Sequence, residues 1–483
     1  MLSKIFSTKP TDSTKEAQVI AQQREKSAQQ SLMKLSGEQC PAPTPGRPFR
    51  LFGLDCTSGP RPYATKLEDR HVVYSPNPTP GNKPIVIGHQ YSTLAYLPER
   101  HDQYTPAWIL PCSTEPVPST EKGNERGMKQ LSQYLWHPEL GFDGELSVAV
   151  GDSLYNTLNC QKIAEPHKPL ILISRSRGNR NVYAPPAPSP SDAKGTGHPT
   201  WYGQKMNLKN TATPLPADAH HPFETITRPG KTLAVTIDVW QDRRTRGSRH
   251  FRTDLYPFTL LRIQVTTADG RPLYKRSLWL AVFGPRRNAL SPQTIYECFR
   301  QRYDVEHYFR FGKQRLLING FQTPPVKHEE NWWHLAQLAY GQLYLARELA
   351  TPLPHPWERY LPASREPRMS SPSQTLRNFS KIIGRVGTPA IAPTPRGQSP
   401  GRLPGSLPSH RPDVPVIYKS THQDKENSSK NAEKKETPKL EIARSSLKPK
   451  SYAEVVTELQ AMVQKIGMTM GEFLERTTIL FAT

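Results

Sequence analysis

Proline sets the tightest limit on what this chain can build. Fifty of its 483 residues are proline, which fixes φ, lacks the amide proton and is kept out of helix interiors and central strands. The prolines gather at Pro41 to Pro48, between Ala184 and Pro222, and again beyond about residue 353. Regular structure has to fit in the intervals between them. With apolar residues at only 35% of the chain, a folded body carrying a disordered, basic tail is expected.

A formal net charge of +22 and an isoelectric point near 9.7 call for a polyanionic partner, since such an excess repels itself. Nucleic acid fits this best. An anionic membrane surface is the rival, but no run approaches the length of a membrane span. Met1-Leu2-Ser3-Lys4-Ile5-Phe6 also lacks the apolar stretch of a signal peptide. The expected location is therefore cytoplasmic, with no membrane partner. Five cysteines, an odd number without a C-x-x-C pair, argue for reduced structural thiols rather than disulfides or a zinc knuckle.

From Ser13 to about Leu35 the sequence allows a polar helix, ended by the first proline cluster. The stretch from Arg50 reads as a strand ending at Asp55, followed by the turn residues Ser58-Gly59-Pro60. Asp55 is either a turn former or a functional acid. Further strands are expected at Lys83 to Tyr91 and around Trp108 to Leu110. His89 either stands behind a functional acid or is hydrogen-bonded within the sheet. Glu121 to Trp136 is patterned as an amphipathic helix, and Leu146 to Gly151 as a short apolar strand leading to Asp152, which can equally cap the helix after it. The strand Leu170 to Ser174 runs into Arg175, Arg177 and Arg180. These arginines sit either at a phosphate or in a solvated loop.

Beyond the second proline cluster, strand patterns appear at Thr232 to Trp240, Phe258 to Thr267 and Leu273 to Phe283, with Ala268-Asp269-Gly270 as a hairpin turn. Arg243, Arg244, Arg246, Arg249 and Arg252 form a dense basic loop without acidic relief, suited to backbone phosphates. Trp240 and Trp279 belong to the core or to a stacking surface, with packing the better account of either. Glu329 to Leu349 gives a helix whose buried members are expected to be Trp332, Leu335, Leu338, Ala339 and Leu345. Ser420 to Lys450 is polar and charged. A last helix from Ser451 carries the apolar stripe Val455, Val456, Leu459, Val463 and Ile466.

Between these lies Phe299 to Lys313. At about 100° per residue, Phe299, Arg302, Glu306 and Lys313 fall within roughly 60° of one another on a single helix. Arg302 with Glu306, and Glu306 with Arg310, are also i,i+4 pairs of the kind found on solvated helices. The spacing Tyr-x2-Arg-x3-Glu-x6-Lys, with Phe299 in the tyrosine position, resembles the signature of DDE transposases from cut-and-paste bacterial insertion sequences. The segments Ser371 to Gln374, Gly387 to Ala390 and Pro395 to Arg402 look like the basic tail of one subgroup. The resemblance runs from about Arg50 to Lys419.

That resemblance implies an α/β, ribonuclease H-like mixed sheet with helices, interrupted by a β-rich insertion. Within the chain this would give a first catalytic segment (50–183), the insertion with its basic loop (184–290) and a completing segment with the glutamate helix (291–352). Outside the family pattern stand a short polar helical leader (1–49) and a C-terminal helix (451–483), with a Pro/Lys-rich disordered tail (353–450) between. Asp55, Asp152 and Glu306 would be the catalytic acids and the ligands of Mg²⁺, for which Mn²⁺ can substitute. Hard oxygen donors suit such ions. DNA contacts are expected from Arg302, Arg310, Lys313, Arg175, Arg177, Arg243, Arg244, Arg246 and Arg249. The implied partners are double-stranded DNA, as transposon ends and target, and a second copy in a homodimer on paired ends near the nucleoid. A catalytically inactive DNA-binding remnant and a metal-dependent nuclease are the alternatives.

Overall fold

The computed structural model describes residues 30–75, 84–102, 104–142, 144–164, 169–186, 201–209, 215–226, 231–247, 252–320, 325–351, 369–386 and 411–418. The chain divides into two units, Met1–Lys419 and Ser420–Thr483, and every described residue lies in the first. The expected C-terminal helix and the 420–450 stretch therefore fall outside the described residues.

The apolar runs become strands β1 (Arg50–Pro60), β2 (His71–Tyr74), β3 (Ile85–Tyr96), β4 (Leu110–Val117), β5 (Ser147–Gly151) and β6 (Leu170–Ser176). Helices α1 (Gly123–Leu135) and α2 (Leu158–Ala164) separate β4 from β5 and β5 from β6. β3 is antiparallel to β1, β2 and β4, whereas β5 is parallel to both β1 and β6. The parallel strands are covered on both faces, which is why Val148-Ala149-Val150 and Leu170 to Ile173 read as unbroken apolar runs and are fully buried.

Strands β7 (Asn181–Tyr183) and β8 (Lys205–Asn207) form a small separate ribbon, while β9 (Ala219–Ile226), β10 (Thr232–Arg243), β11 (Phe258–Thr267) and β12 (Leu278–Phe283) follow in the chain. Of the expected insertion strands, two form near their expected places and the third starts at Leu278 rather than Leu273, while β8 and β9 were not expected; most of the insertion is not a module apart. β12 pairs antiparallel with β6, so that β9 to β12 extend one ten-stranded sheet in the order β2-β3-β1-β5-β6-β12-β11-β10-β9, with β4 also on β3. An open β6 edge between Leu172 and Ser176 would leave backbone groups and apolar side chains unpaired. Leu280, Ala281 and Val282 close it, each fully buried.

Helices α3 (Pro292–Gln301), α4 (Tyr303–Arg315), α5 (Val326–Ala350) and α6 (Pro372–Val386) complete the described body, a mixed α/β fold with a large sheet. Ser291 starts α3 by accepting the Thr294 amide at 3.1 Å, with Pro292 in the first turn. The single helix expected through Phe299 to Lys313 is in fact two, joined at Arg302. The bonds from Arg302 N to Phe299 O and from Val305 N to Arg302 O tighten the chain there into an i to i−3 turn.

Two other expectations need correction. The α5 helix turns Trp333, Ala336, Gln337, Tyr340, Leu343 and Tyr344 inward and leaves Leu345 51% exposed. Apolar residues line most of its circumference, so periodicity alone does not choose a face. The aromatic partners do: Trp333 stacks on Tyr91 at 4.2 Å and Tyr340 meets Tyr308 edge-on at 4.8 Å. Within the expected tail, α6 forms and packs against α5 through Phe379 and Ile382 beside Ala346 and Ala350. Its apolar stripe is short enough to be hidden by proline-rich neighbours. Residues 411–418 also join the body, the amides of Val414 and Ile417 bonding the carbonyls of Thr65 and Arg70.

The end of the leader, helical over 30–38, is buried at Met33 and Ser36. All five cysteines are free thiols. Among the described residues no helix is long and apolar enough to cross a membrane.

Candidate functional site

Strand register brings the two aspartates together. Leu54 lies opposite Gly151 in the parallel β1–β5 pair, so Asp55 and Asp152 are the next residues on neighbouring strands. Gly53 then admits the helix. A Cβ at position 53 would stand 2.6 Å from Val305 Cγ2, and the missing side chain lets α4 lie close against β1. Glu306, the next residue along, is thereby held beside Asp55.

Arg302 ties the strand to the helix. Its Nη1 donates to Asp55 Oδ2 at 2.9 Å and its Nη2 to Glu306 Oε1 at 2.5 Å, while its guanidinium lies 5.9 Å from the Phe299 ring centre. The side chains of Arg302, Asp55 and Glu306 are 15%, 18% and 37% exposed. The other Asp55 oxygen accepts from the Cys56 amide, and Asp152 Oδ1 accepts from the Leu154 amide at 2.8 Å. Asp152 thus shapes the turn after β5 in addition to standing next to Asp55.

Burial pushes the Asp55 carboxyl up to about 6; Arg302 opposes this, and the nearby charges of Asp152 and Glu306 add to it. Burial works against the Arg302 guanidinium, but Asp55, Glu306 and Asp152 raise its pKa above the usual value. One arginine therefore faces three acids. Cys56 lies beneath, its thiol raised to about 12 by burial and by Asp55, so it is not a nucleophile at neutral pH.

Among the described residues no group of three or more His, Cys, Asp or Glu is arranged to hold a metal ion. The ion pairs give a reason: Arg302 spans Asp55 and Glu306. The donor chemistry nonetheless fits a hard divalent cation, because the residues present are all carboxylates and carry more negative charge than Arg302 cancels. Asp55, Asp152 and Glu306 would hold it.

The expected cationic residues separate into groups. Arg310 is exposed and Lys313 half-buried on α4, where burial lowers the lysine's pKa. Arg175 and Arg177 are exposed at the end of β6; Arg177 Nε donates to Ser153 Oγ at 3.3 Å and Arg180 Nη1 to Asn156 Oδ1 at 2.8 Å. These bonds pin the arginine turn to the loop that follows Asp152. Arg243 is buried and paired with Asp218 at 3.4 Å, which corrects the expectation of a loop without acidic relief and makes this residue a strut. Arg244 donates to the Trp201 carbonyl at 2.8 Å, Arg246 is exposed, and Arg249 lies outside the described residues.

Both expected tryptophans belong to the core. Trp240 and Trp279 are 1% and 6% exposed and pack at 5.5 Å. The aromatic that sequence reasoning missed is Trp201, half-buried, with the Arg252 guanidinium 4.2 Å from its ring centre. A Trp201-Tyr202 pair closing a proline-rich segment was the available signal. His89 proves to be a sheet histidine, bonded to Glu329 and to the Glu68 carbonyl. Compared with known proteins, the chain matches no family model and no curated protein.

Proposed function

We propose that the chain is a DDE-type transposase, cutting DNA at transposon ends and joining those ends to target DNA in a metal-dependent reaction. The observation that carries this reading is the meeting of Asp55, Asp152 and Glu306, which are 152 − 55 = 97 and 306 − 152 = 154 residues apart in the chain. The strand arrangement supports a ribonuclease H-like body: an antiparallel β4-β3-β1 opening continues into the parallel β5 and β6.

When bound, Mg²⁺ or Mn²⁺ supplies Lewis-acid stabilisation and a lowered pKa for an attacking water or 3′-hydroxyl. The chain's own residues do the rest. Asp55 on β1, Asp152 just past β5 and Glu306 on α4 would present the oxygen ligands. Arg302 suits bidentate phosphate binding, and Lys313, two turns beyond Glu306, offers a point charge. Arg175, Arg177, Arg246 and Arg252 neutralise backbone phosphates. Paired ends call for a homodimer, and a DNA substrate for work at the nucleoid.

A non-catalytic DNA-binding role is favoured by one observation, that Arg302 already occupies two of the three acids. Mg²⁺-dependent cleavage of a labelled duplex carrying the element's own end decides between them. Wild type should nick at the end, while Asp55→Asn, Asp152→Asn and Glu306→Gln bind and do not cut. Binding by wild type without cleavage under Mg²⁺ or Mn²⁺ overturns the enzymatic reading. Cleavage without strand transfer leaves a nuclease.

A further inference from the structure

We infer that Arg302 is a resident counter-cation that makes divalent-cation binding depend on DNA. It releases Asp55 and Glu306 only when a backbone phosphate takes its guanidinium. The inference rests on the reading of the three acids as metal ligands.

The argument begins with the bridge. Two donors of one guanidinium reach two acids on different elements, at 2.9 and 2.5 Å, so one oxygen of Asp55 and one of Glu306 are already paired. A divalent ion entering beside an unmoved Arg302 meets a fixed positive charge at ion-pair distance. If Arg302 leaves without a new partner, it stays charged, since a guanidinium does not give up its proton in proteins. With only 15% of its side chain exposed, an unpaired charge there is costly. A phosphate solves both problems, because it pairs with a guanidinium through two parallel hydrogen bonds. The cation and the phosphate therefore each remove the obstacle to the other, and linkage makes the effect reciprocal.

The geometry also separates Arg302 from an ordinary i,i+4 partner. It sits in the tight turn joining α3 to α4, with Phe299 beside its guanidinium. It reaches back to a strand 247 residues away in the chain.

The test is Mn²⁺ binding to the full chain, read from the electron paramagnetic resonance signal of the free ion. Titrations run with and without a short duplex of arbitrary sequence, against a blank of the duplex alone. Wild type should bind Mn²⁺ weakly by itself and at least about tenfold more tightly with DNA, within the roughly 5–150-fold range of typical coupling. Arg302→Gln should bind Mn²⁺ tightly without DNA and gain little from it. Arg302→Lys keeps the charge but cannot span both acids, and should fall between; it also serves if the glutamine variant fails to fold. Adding Asp55→Asn to Arg302→Gln should remove the binding. Equal Mn²⁺ affinity of wild type with and without DNA, or coupling unchanged in the folded Arg302 variants, overturns the counter-cation role and leaves the metal site standing. No Mn²⁺ bound by any chain under either condition removes the metal site and the counter-cation role together.

Discussion

Strand β1 carries one arginine–carboxylate cluster near its middle and another just past its end, and the two are built for different purposes. Near its middle, Arg302 spans Asp55 and Glu306 with side chains 15–37% exposed and Asp152 close by. At its far end, Arg61 pairs with Glu329 at 3.1 Å and His89 with the same carboxylate at 3.3 Å, all with side chains at most 4% exposed. In the buried cluster one acid answers two basic side chains, and further hydrogen bonds such as His89 to the Glu68 carbonyl complete it. In the open cluster three acids share one arginine. The buried cluster fastens α5 to the sheet. The Arg302 cluster is more open and carries more acids than its one arginine balances.

The largest expected effect breaks this contrast on the buried side. Glu329→Ala strands Arg61 and should destabilise the fold by about 3–5 kcal/mol, the usual result of removing one partner from a buried pair. Glu306→Gln should cost at most about 1 kcal/mol, since its pair is partly exposed. Chemical denaturation measures both, and similar losses would erase the distinction between the clusters. Gly53→Ala comes next. Its Cβ would overlap Val305, so overpacking of about 1–3 kcal/mol is expected. The displaced α4 should also lower cleavage in a folded variant, measured on the same labelled duplex.

The pH dependence of stability separates the clusters more finely. The folded chain holds the Asp55 proton up to about pH 6, against an ordinary value of 3.8; the unfolded chain loses it earlier, so stability should fall as pH rises between about 4 and 6. For His89, burial lowers the pKa, but the Glu329 hydrogen bond and charge, with the Glu68 carbonyl and Asp69, raise it net above 6.5. Its contribution is complete below 6.5 and is lost as pH climbs through the raised value. Asp55→Asn should flatten the lower window and His89→Gln the upper, read from stability measured across pH. The smallest effect is at the basic loop: Arg246→Ala should reduce the log-log salt slope of DNA binding by about 0.9 at most. An unchanged slope takes that residue out of the interface.

Much of the local structure was legible. Apolar runs marked β5 and β6, and strand patterns with turn residues marked β10 and β11, to within a few positions. β1, however, runs on through Ser58-Gly59-Pro60, expected as a turn, because β3 pairs with it to Pro60. Gly270, at φ +76°, closes the hairpin where Ala268-Asp269-Gly270 called for it. The helix around Glu306 was legible too, apart from its break at Arg302. The face of α5 was not, because a helix apolar on most sides leaves the choice to its partners. α6 was concealed by the composition around it. Nor did Arg243 announce its inward turn, which depends on Asp218 in a separate segment.

By itself, then, the amino-acid order determined most of the strand and helix content and the strongly basic balance, while the three acids became candidates through the resemblance of the Phe299–Lys313 spacing. These depend on backbone preference, side-chain periodicity and charge, all expressed within about ten residues of one another. Only the tertiary structure decided that Asp55 and Asp152 become neighbours, that Arg302 answers both Asp55 and Glu306, and that β12 closes the edge of β6. Each of those pairings joins distant parts of the chain, and is chosen by the free energy of burying a whole sheet and its helices together, which no local pattern records.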